Sequence, residues 1–202
     1  RSLPLSQPGR IYTLTDVAEV WMTNLVNEEQ LLKTLESPAE ATIGDNVVYR
    51  ITVPATPIAV PLYDVRILDD LSLSNADMRF VSATVVSGGT WGVNNTGSGT
   101  NLVIEDTGTG IDIPLNSQAV IDITVELQNT MPNQSGLGFA NNASYIYNRT
   151  NGNNATQMVG GTGGTPDMTI VEPDLSAVKS ASFVSPAGKL PTESATVGDV
   201  LE

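Results

Sequence analysis

Residues 46–53 read Asn-Val-Val-Tyr-Arg-Ile-Thr-Val, and this stretch decides the fold class. Its odd-numbered positions are all apolar, whereas Arg50 and Thr52 fall between them. Successive side chains of a β-strand point to opposite faces, so a period of two predicts a strand with one buried face. Residues 119–127, Ala-Val-Ile-Asp-Ile-Thr-Val-Glu-Leu, repeat the alternation with apolar residues inward. The two stretches therefore predict two half-buried strands.

Further short strands are predicted on both sides of these two. They cover residues 31–35, 63–68, 78–86, a short segment around Trp91, and residues 102–104, 111–113 and 139–147. Gly-rich turns separate them, and we interpret Thr107-Gly108-Thr109-Gly110 as a hairpin turn. No convincing helical pattern interrupts the series. Strands at this spacing predict an all-β fold, an antiparallel β-sandwich of immunoglobulin-like type.

Composition narrows the class of function. The 202 residues include 9 Lys and Arg against 22 Asp and Glu, which gives a net charge of −13. Such an acidic chain repels phosphate backbones and anionic lipid, so we expect neither nucleic-acid binding nor direct membrane contact. There is no Cys and no His. Disulfides, thiolate chemistry and Cys/His zinc sites are therefore excluded.

One phrase occurs twice in the chain. Lys33 precedes Ala41-Thr42-Ile43-Gly44-Asp45, and Lys179 precedes Ala195-Thr196-Val197-Gly198-Asp199. The separation of the two copies is that of whole domains rather than of short solenoid units. A tandem array of domains usually builds length and reach, which favours a structural protein over a stand-alone enzyme.

The repeat and the composition together predict the domain organisation. Residues 1–28 are expected to be the tail of a preceding module or an N-terminal extension. Residues 29–159 are expected to form the β-sandwich repeat module. Residues 160–173, rich in Gly, Thr and Pro, are expected to be a linker. Residues 174–202 restart the pattern and are expected to begin the next module.

The recurring residues resemble the conserved repeat domain of bacterial surface proteins, the family called domain of unknown function 11. That family has a first-strand Lys, a Gly-Asp turn before a Tyr-bearing strand, an Asp-Xaa-Leu-Pro step and an Asn-Xaa-Ala strand. The matching positions are Lys33, Gly44-Asp45 with Tyr49, Asp69-Asp70-Leu71-Ser72 and Asn141-Asn142-Ala143. Ser72 stands where the family has Pro. The resemblance covers residues 29–150 and the restart at 174–202, and it implies an immunoglobulin-like sandwich found in cell-surface arrays.

The resemblance also implies a covalent cross-link. Related surface sandwiches join a first-strand Lys amine to a last-strand Asn amide with the help of a buried acid. Here the trio would be Lys33, Asn142 (or Asn141) and Asp69. Burial would keep the amine neutral and the acid protonated, as the reaction needs. Alternatively, Lys33 is a solvated strand residue and Asn142 an ordinary turn or edge amide.

Two further kinds of site are considered. Asp69, Asp70, Asp106 and Asp112 could contribute to a calcium site between loops, although neither the EF-hand spacing nor the nonapeptide-repeat spacing is present. The alternative is that they are turn carboxylates bonded to the backbone. Trp91, Tyr145 and Tyr147 could form a platform on which a sugar stacks, whereas a lone Trp in a sandwich more often belongs to the core.

From these observations we expect a non-enzymatic spacer or stalk module of a large, adhesin-like bacterial protein. It would be extracellular, at the cell surface or associated with the outer membrane. Its partners would be neighbouring modules of the same chain, and a surface glycan or protein in addition. The alternative is a ligand-binding module that holds a carbohydrate or protein on the loops near residues 54–62 and 87–101.

Overall fold

The protein is described from a computed structural model, which covers residues 30–172, 177–180, 183–185 and 200–201. The chain divides into two compact units, with the boundary between Glu172 and Pro173. The prediction for residues 1–28 lies outside the described residues.

The described residues of the first unit form 13 strands. They are β1 (Leu32–Leu35), β2 (Glu40–Ala41), β3 (Asn46–Val53), β4 (Leu62–Asp70), β5 (Met78–Ser87), β6 (Val93–Asn95), β7 (Asn101–Asp106), β8 (Ile111–Ile113), β9 (Ala119–Leu127), β10 (Gly138–Phe139), β11 (Asn142–Asn148), β12 (Gln157–Gly164) and β13 (Met168–Ile170).

The strands form two main sheets and one small sheet. The first has the order β1-β3-β9-β5, and the second has the order β12-β11-β4-β7-β6, with β8 also paired to β4. The small sheet has the order β10-β13-β2. All pairs are antiparallel except that of β13 with β2. The prediction of an antiparallel β-sandwich is confirmed. Among the described residues, no helix is apolar and long enough to cross a membrane.

The alternation that predicted β3 and β9 is the alternation of burial. Tyr49 on β3 lies opposite Ile123 on β9, and both side chains are fully buried. In both strands the residues at alternate positions, in step with Tyr49 and Ile123, face the core, and those between them face outward. Ile67, Ile104 and Tyr145 of the second sheet complete this core. The apolar stripe of each strand is buried because it is covered by the opposing sheet.

The predicted linker over residues 160–173 is wrong. β12 pairs with β11, and β13 pairs with β10 and β2, so the module continues to residue 172. The glycines that suggested a linker allow close packing instead. A Cβ at Gly160 would overlap the Tyr145 ring, and one at Gly163 would overlap the carbonyl oxygen of Leu31. Glycine in a strand often marks such a close approach of another chain segment.

Two local predictions are also wrong. Thr107-Gly108-Thr109-Gly110 does not connect a hairpin, because β7 and β8 pair with successive parts of β4 and not with each other. The four residues form a turn closed by the Thr109 and Gly110 N–H groups on the Asp106 carbonyl oxygen. Trp91 precedes β6 rather than lying in a strand.

The second unit contains a short antiparallel pair, β14 (Phe183–Ser185) with β15 (Val200–Leu201). Phe183 lies opposite Leu201. Phe183 is four residues after Lys179, and Leu201 is three after Gly198. Both strands of this pair thus lie in the region where the sequence pattern restarts.

Candidate functional site

Lys33 is buried in the core by its place on β1. It pairs with Ile51 of β3, whose side chain is fully buried, so the lysine side chain also points inward. Lys33 is only 3% exposed, whereas the neighbouring Leu32 is 47% exposed. Lysine is almost never fully buried unless its ammonium has a partner. An inward lysine flanked by an outward leucine therefore indicates a specific role for the amine.

The partner of Lys33 is Asp69, near the end of β4 in the opposite sheet. The Nζ atom of Lys33 donates to Oδ2 of Asp69 at 2.7 Å, and both side chains are fully shielded from solvent. Asp69 points inward because it continues the buried face of Ile67. Its second oxygen, Oδ1, is buried without a hydrogen-bond partner. A fully ionised carboxylate with one orphaned oxygen is costly in such a place.

Asn141 completes the site. Its Nδ2 atom donates to Oδ2 of Asp69 at 3.2 Å, and the residue is 2% exposed. The structure therefore brings together Lys33, Asp69 and Asn141. The prediction that placed Asn142 first in this trio, with Asn141 as the alternative, is corrected, because Asn142 is exposed on the other face of the strand. The sequence carried a usable signal: Asn141 shares its odd parity with the buried residues Phe139, Ala143, Tyr145 and Tyr147.

The backbone of Asn141 is held by a residue that sequence reasoning missed. The Asn141 N–H donates to Oγ1 of Thr165 at 3.1 Å. The Thr165 N–H donates to the Asn141 carbonyl oxygen at 3.0 Å. Thr165 lies in the segment predicted to be a linker, where a Gly/Thr-rich composition gave no sign of a packed role. Its part in the site follows from the β11–β12 pairing alone.

Burial shifts the pKa of both ionisable groups at this site. It lowers the pKa of Lys33, against the opposing effect of the Asp69 charge and hydrogen bond. Burial also raises the pKa of Asp69, again against the opposing contributions of Lys33 and Asn141. Both shifts favour the uncharged form of the group, which is the usual result of desolvation. Desolvation therefore shifts both members of the pair toward their neutral forms.

Tyr49 covers the amine from the first sheet. The Lys33 Nζ atom lies 4.6 Å from the centre of the Tyr49 ring. The phenol is itself buried, and burial raises its pKa above its ordinary value. The Tyr49 hydroxyl lies 3.6 Å from the Met78 sulfur and 3.9 Å from that of Met168. The Tyr49 ring thus covers one side of the Lys33 amine and helps to exclude water from it.

The predicted calcium site is not assembled. Asp69 is bonded to Lys33, and Asp70 caps the 3-10 helix of Leu71–Leu73 by accepting the Ser72 N–H. No group of three or more acidic side chains that could hold a metal occurs among the described residues.

The other two carboxylates lie away from that end of β4. Asp106 accepts the Gly92 N–H, and Asp112 accepts the N–H of Asp64, near the beginning of β4. The joint site of Asp69, Asp70, Asp106 and Asp112 is therefore wrong, because β4 separates Asp69 from Asp112. The turn role considered as the alternative is what Asp70 and Asp106 have.

Trp91 is half-buried and packs against the core. Two grooves lie elsewhere, on the outer face of the second sheet and beside β10. Their volumes are about 640 and about 310 Å³, and both are lined by Leu73 and Asn142. Neither groove includes Trp91 or the loop near residues 87–101. The structure thus gives Trp91 a packing role.

No family model matches the chain, and no curated protein matches it. Among solved structures, the major pilin BcpA of Bacillus cereus is similar with a TM-score of 0.41 and 12% identity, over 71% of this chain and 40% of that one. A cohesin module of a Clostridium perfringens glycoside hydrolase has a TM-score of 0.42 and 9% identity, over 72% and 99% of the two chains. The pilus backbone RrgB of Streptococcus pneumoniae has a TM-score of 0.42 and 13% identity, over 60% and 32%. The matched region is thus less than half of either pilus protein.

Proposed function

We propose that this chain is a structural spacer module of a large, adhesin-like bacterial surface protein, closed by an isopeptide bond between Lys33 and Asn141. One observation carries the proposal. A single buried oxygen, Oδ2 of Asp69, is hydrogen-bonded both to the amine that would attack and to the amide nitrogen that would leave. Packing of a hydrophobic core does not require a buried Lys, Asp and Asn in contact with one another. Their presence together therefore supports a chemical role for the three side chains.

The reaction is an amide exchange without any change of oxidation state. The neutral Lys33 Nζ attacks the Cγ atom of Asn141, and a new C–N bond forms. The Cγ–Nδ2 bond of Asn141 breaks, and the nitrogen leaves as ammonia. Asp69 accepts a proton from Nζ and supplies one to Nδ2, so its own protonation is restored. Its Oδ2 atom contacts both nitrogens, so one carboxyl group can serve as both general acid and general base.

The bond would join the two main sheets of the sandwich. Lys33 belongs to β1 of the first sheet, and Asn141 directly precedes β11 of the second. A pull applied near residue 30 would pass through the bond into β11 without extending residues 34–140. Only the segment from β11 to β13 would remain extensible. Such a connection suits a module that transmits force along a surface protein.

The repeat supports a role in series with neighbouring modules. The antiparallel pair of Phe183–Ser185 with Val200–Leu201 lies where the sequence pattern restarts, which is expected if another module of the same type begins there. The resemblance to the surface-protein repeat family supports an extracellular location at the cell surface. The proposed role is non-enzymatic, and the packing of Trp91 against the core favours a scaffold over a ligand-binding module.

The test is the intact mass of the denatured, purified chain. The proposal predicts a mass short by one ammonia in the wild type. Lys33→Ala and Asn141→Ala should each restore the full sequence mass. Asn142→Ala is the matched control, since it changes the exposed neighbour, and it should keep the loss of ammonia. A wild-type chain with the full sequence mass would refute the cross-link.

A further inference from the structure

We infer that Thr165 is the positioning residue that orients Asn141 for the cross-linking reaction. The inference rests on the proposed function, because it assigns a role within the same site. Thr165 does not touch the reacting atoms. It acts through the backbone from which the Asn141 carboxamide extends.

The geometry is an irregular last rung of the β11–β12 ladder. Asn142 pairs with Gly164, so the next rung places Asn141 opposite Thr165. At this rung the Asn141 N–H donates to the Thr165 side-chain oxygen Oγ1 at 3.1 Å rather than to a backbone carbonyl. The Thr165 N–H donates to the Asn141 carbonyl oxygen at 3.0 Å, and the hydroxyl lies 3.4 Å from the same oxygen. One threonine thus engages both backbone polar groups of Asn141.

This arrangement matters because Asn141 lies outside the regular pairing. The β11–β4 ladder begins only at Ser144 opposite Leu68. The hydrogen bond from Asn141 to Asp69, at 3.2 Å, is longer than the 2.7 Å bond from Lys33 to Asp69. A small rotation of the Asn141 backbone would therefore separate the leaving nitrogen from its proton donor. The Thr165 hydroxyl opposes that rotation by fixing the Asn141 N–H.

The position of Thr165 in the chain implies that the pairing of β12 with β11 precedes the cross-linking reaction. It follows Asn141 by 24 residues and comes directly after β12. The carboxamide is therefore oriented only once β12 has paired with β11. The cross-link would then form after the last strands of the module are in place, and not as soon as Lys33 and Asn141 can meet.

The test is the rate of ammonia loss after cell-free synthesis of the full chain, followed by intact mass at timed intervals. Thr165→Val keeps the shape of the side chain but lacks the hydroxyl. We expect its rate to fall roughly 10- to 100-fold, the scale of a misplacement of about 1 Å. Thr165→Ser restores the hydroxyl and should react at close to the wild-type rate. Thr162→Val, the same change at an exposed position of β12, is the control and should not alter the rate.

Two further readouts separate positioning from general destabilisation. Limited proteolysis of the same samples restricts the comparison to folded molecules. The pH dependence of the rate should keep its shape in Thr165→Val, because the protonation of Lys33 and Asp69 is unchanged. A Thr165→Val rate equal to that of Thr162→Val would overturn this inference and leave the cross-link intact. A wild-type chain that never loses ammonia would overturn both.

Discussion

Replacing Asn141 with Ala should convert a cross-linked module into a linear one, with a large and calculable loss of stability. The proposed bond closes a loop of about 108 residues between positions 33 and 141. In the chain-entropy model of a cross-link, a loop of this size stabilises the fold by about 5 kcal/mol. The free energy of unfolding should therefore fall by about 5 kcal/mol.

The assay is thermal unfolding followed by circular dichroism, with urea titration for the free energy. For a domain of this size, the expected loss lowers the Tm by roughly 10–20 °C. Asn142→Ala provides the control, since an exposed substitution usually changes stability by less than about 0.5 kcal/mol. The reasoning would be refuted by an Asn141→Ala variant within about 1 kcal/mol of the wild type. An Asn142→Ala variant that showed the large loss instead would also refute it.

Three other perturbations test separate parts of the account. Asp69→Ala should abolish ammonia loss because no group remains to carry the proton, and intact mass checks this. In the unlinked Asn141→Ala background, burial raises the pKa of Asp69, so the free energy of unfolding should fall as the pH rises above 3.8. Burial lowers the pKa of Lys33, so the free energy of unfolding should also fall as the pH decreases below 10.5. Adding Lys33→Met and Asp69→Leu to this background should flatten both dependences of the free energy of unfolding on pH, measured by urea unfolding at a series of pH values. Unchanged dependences would contradict the pKa shifts assigned to Lys33 and Asp69. Gly163→Ala should lower the free energy of unfolding by about 1–3 kcal/mol, since its Cβ would overlap the Leu31 carbonyl oxygen.

The last of these predictions has a matched control nearby. A Cβ at Gly138 would meet its nearest neighbour, the Met168 carbonyl oxygen, only at 3.9 Å. Gly138→Ala should therefore be tolerated in the same unfolding assay. Equal losses for Gly163→Ala and Gly138→Ala would show that close packing of β12 against Leu31 is not what requires glycine at position 163.

The fold could be predicted from sequence where one face of a strand is buried. β3 and β9 begin and end as predicted, because covering one face by the opposite sheet leaves a period of two in the residues themselves. β12 could not be found this way. Its Gly-Thr composition reflects how closely Tyr145 and Leu31 approach it, and that proximity depends on tertiary packing rather than on local pattern.

The candidate site was partly accessible to the same reasoning. The resemblance to the surface-protein repeat family, carried by the repeated Lys and the Asp-Xaa-Leu step, implied Lys33 and Asp69. The choice between Asn141 and Asn142 could have been made from parity with Tyr145, since a shift of one residue reverses the face. Thr165 could not be predicted, because its hydroxyl replaces a backbone acceptor at an irregular rung that only the assembled sheet defines.

The most direct test of the central claim is to digest the purified wild-type chain with a protease and sequence the products by tandem mass spectrometry. The account predicts a branched product in which the side chain of Lys33 is joined to that of Asn141, with the loss of one ammonia. Recovery of the Lys33 and Asn141 peptides only as separate, unmodified products would contradict it.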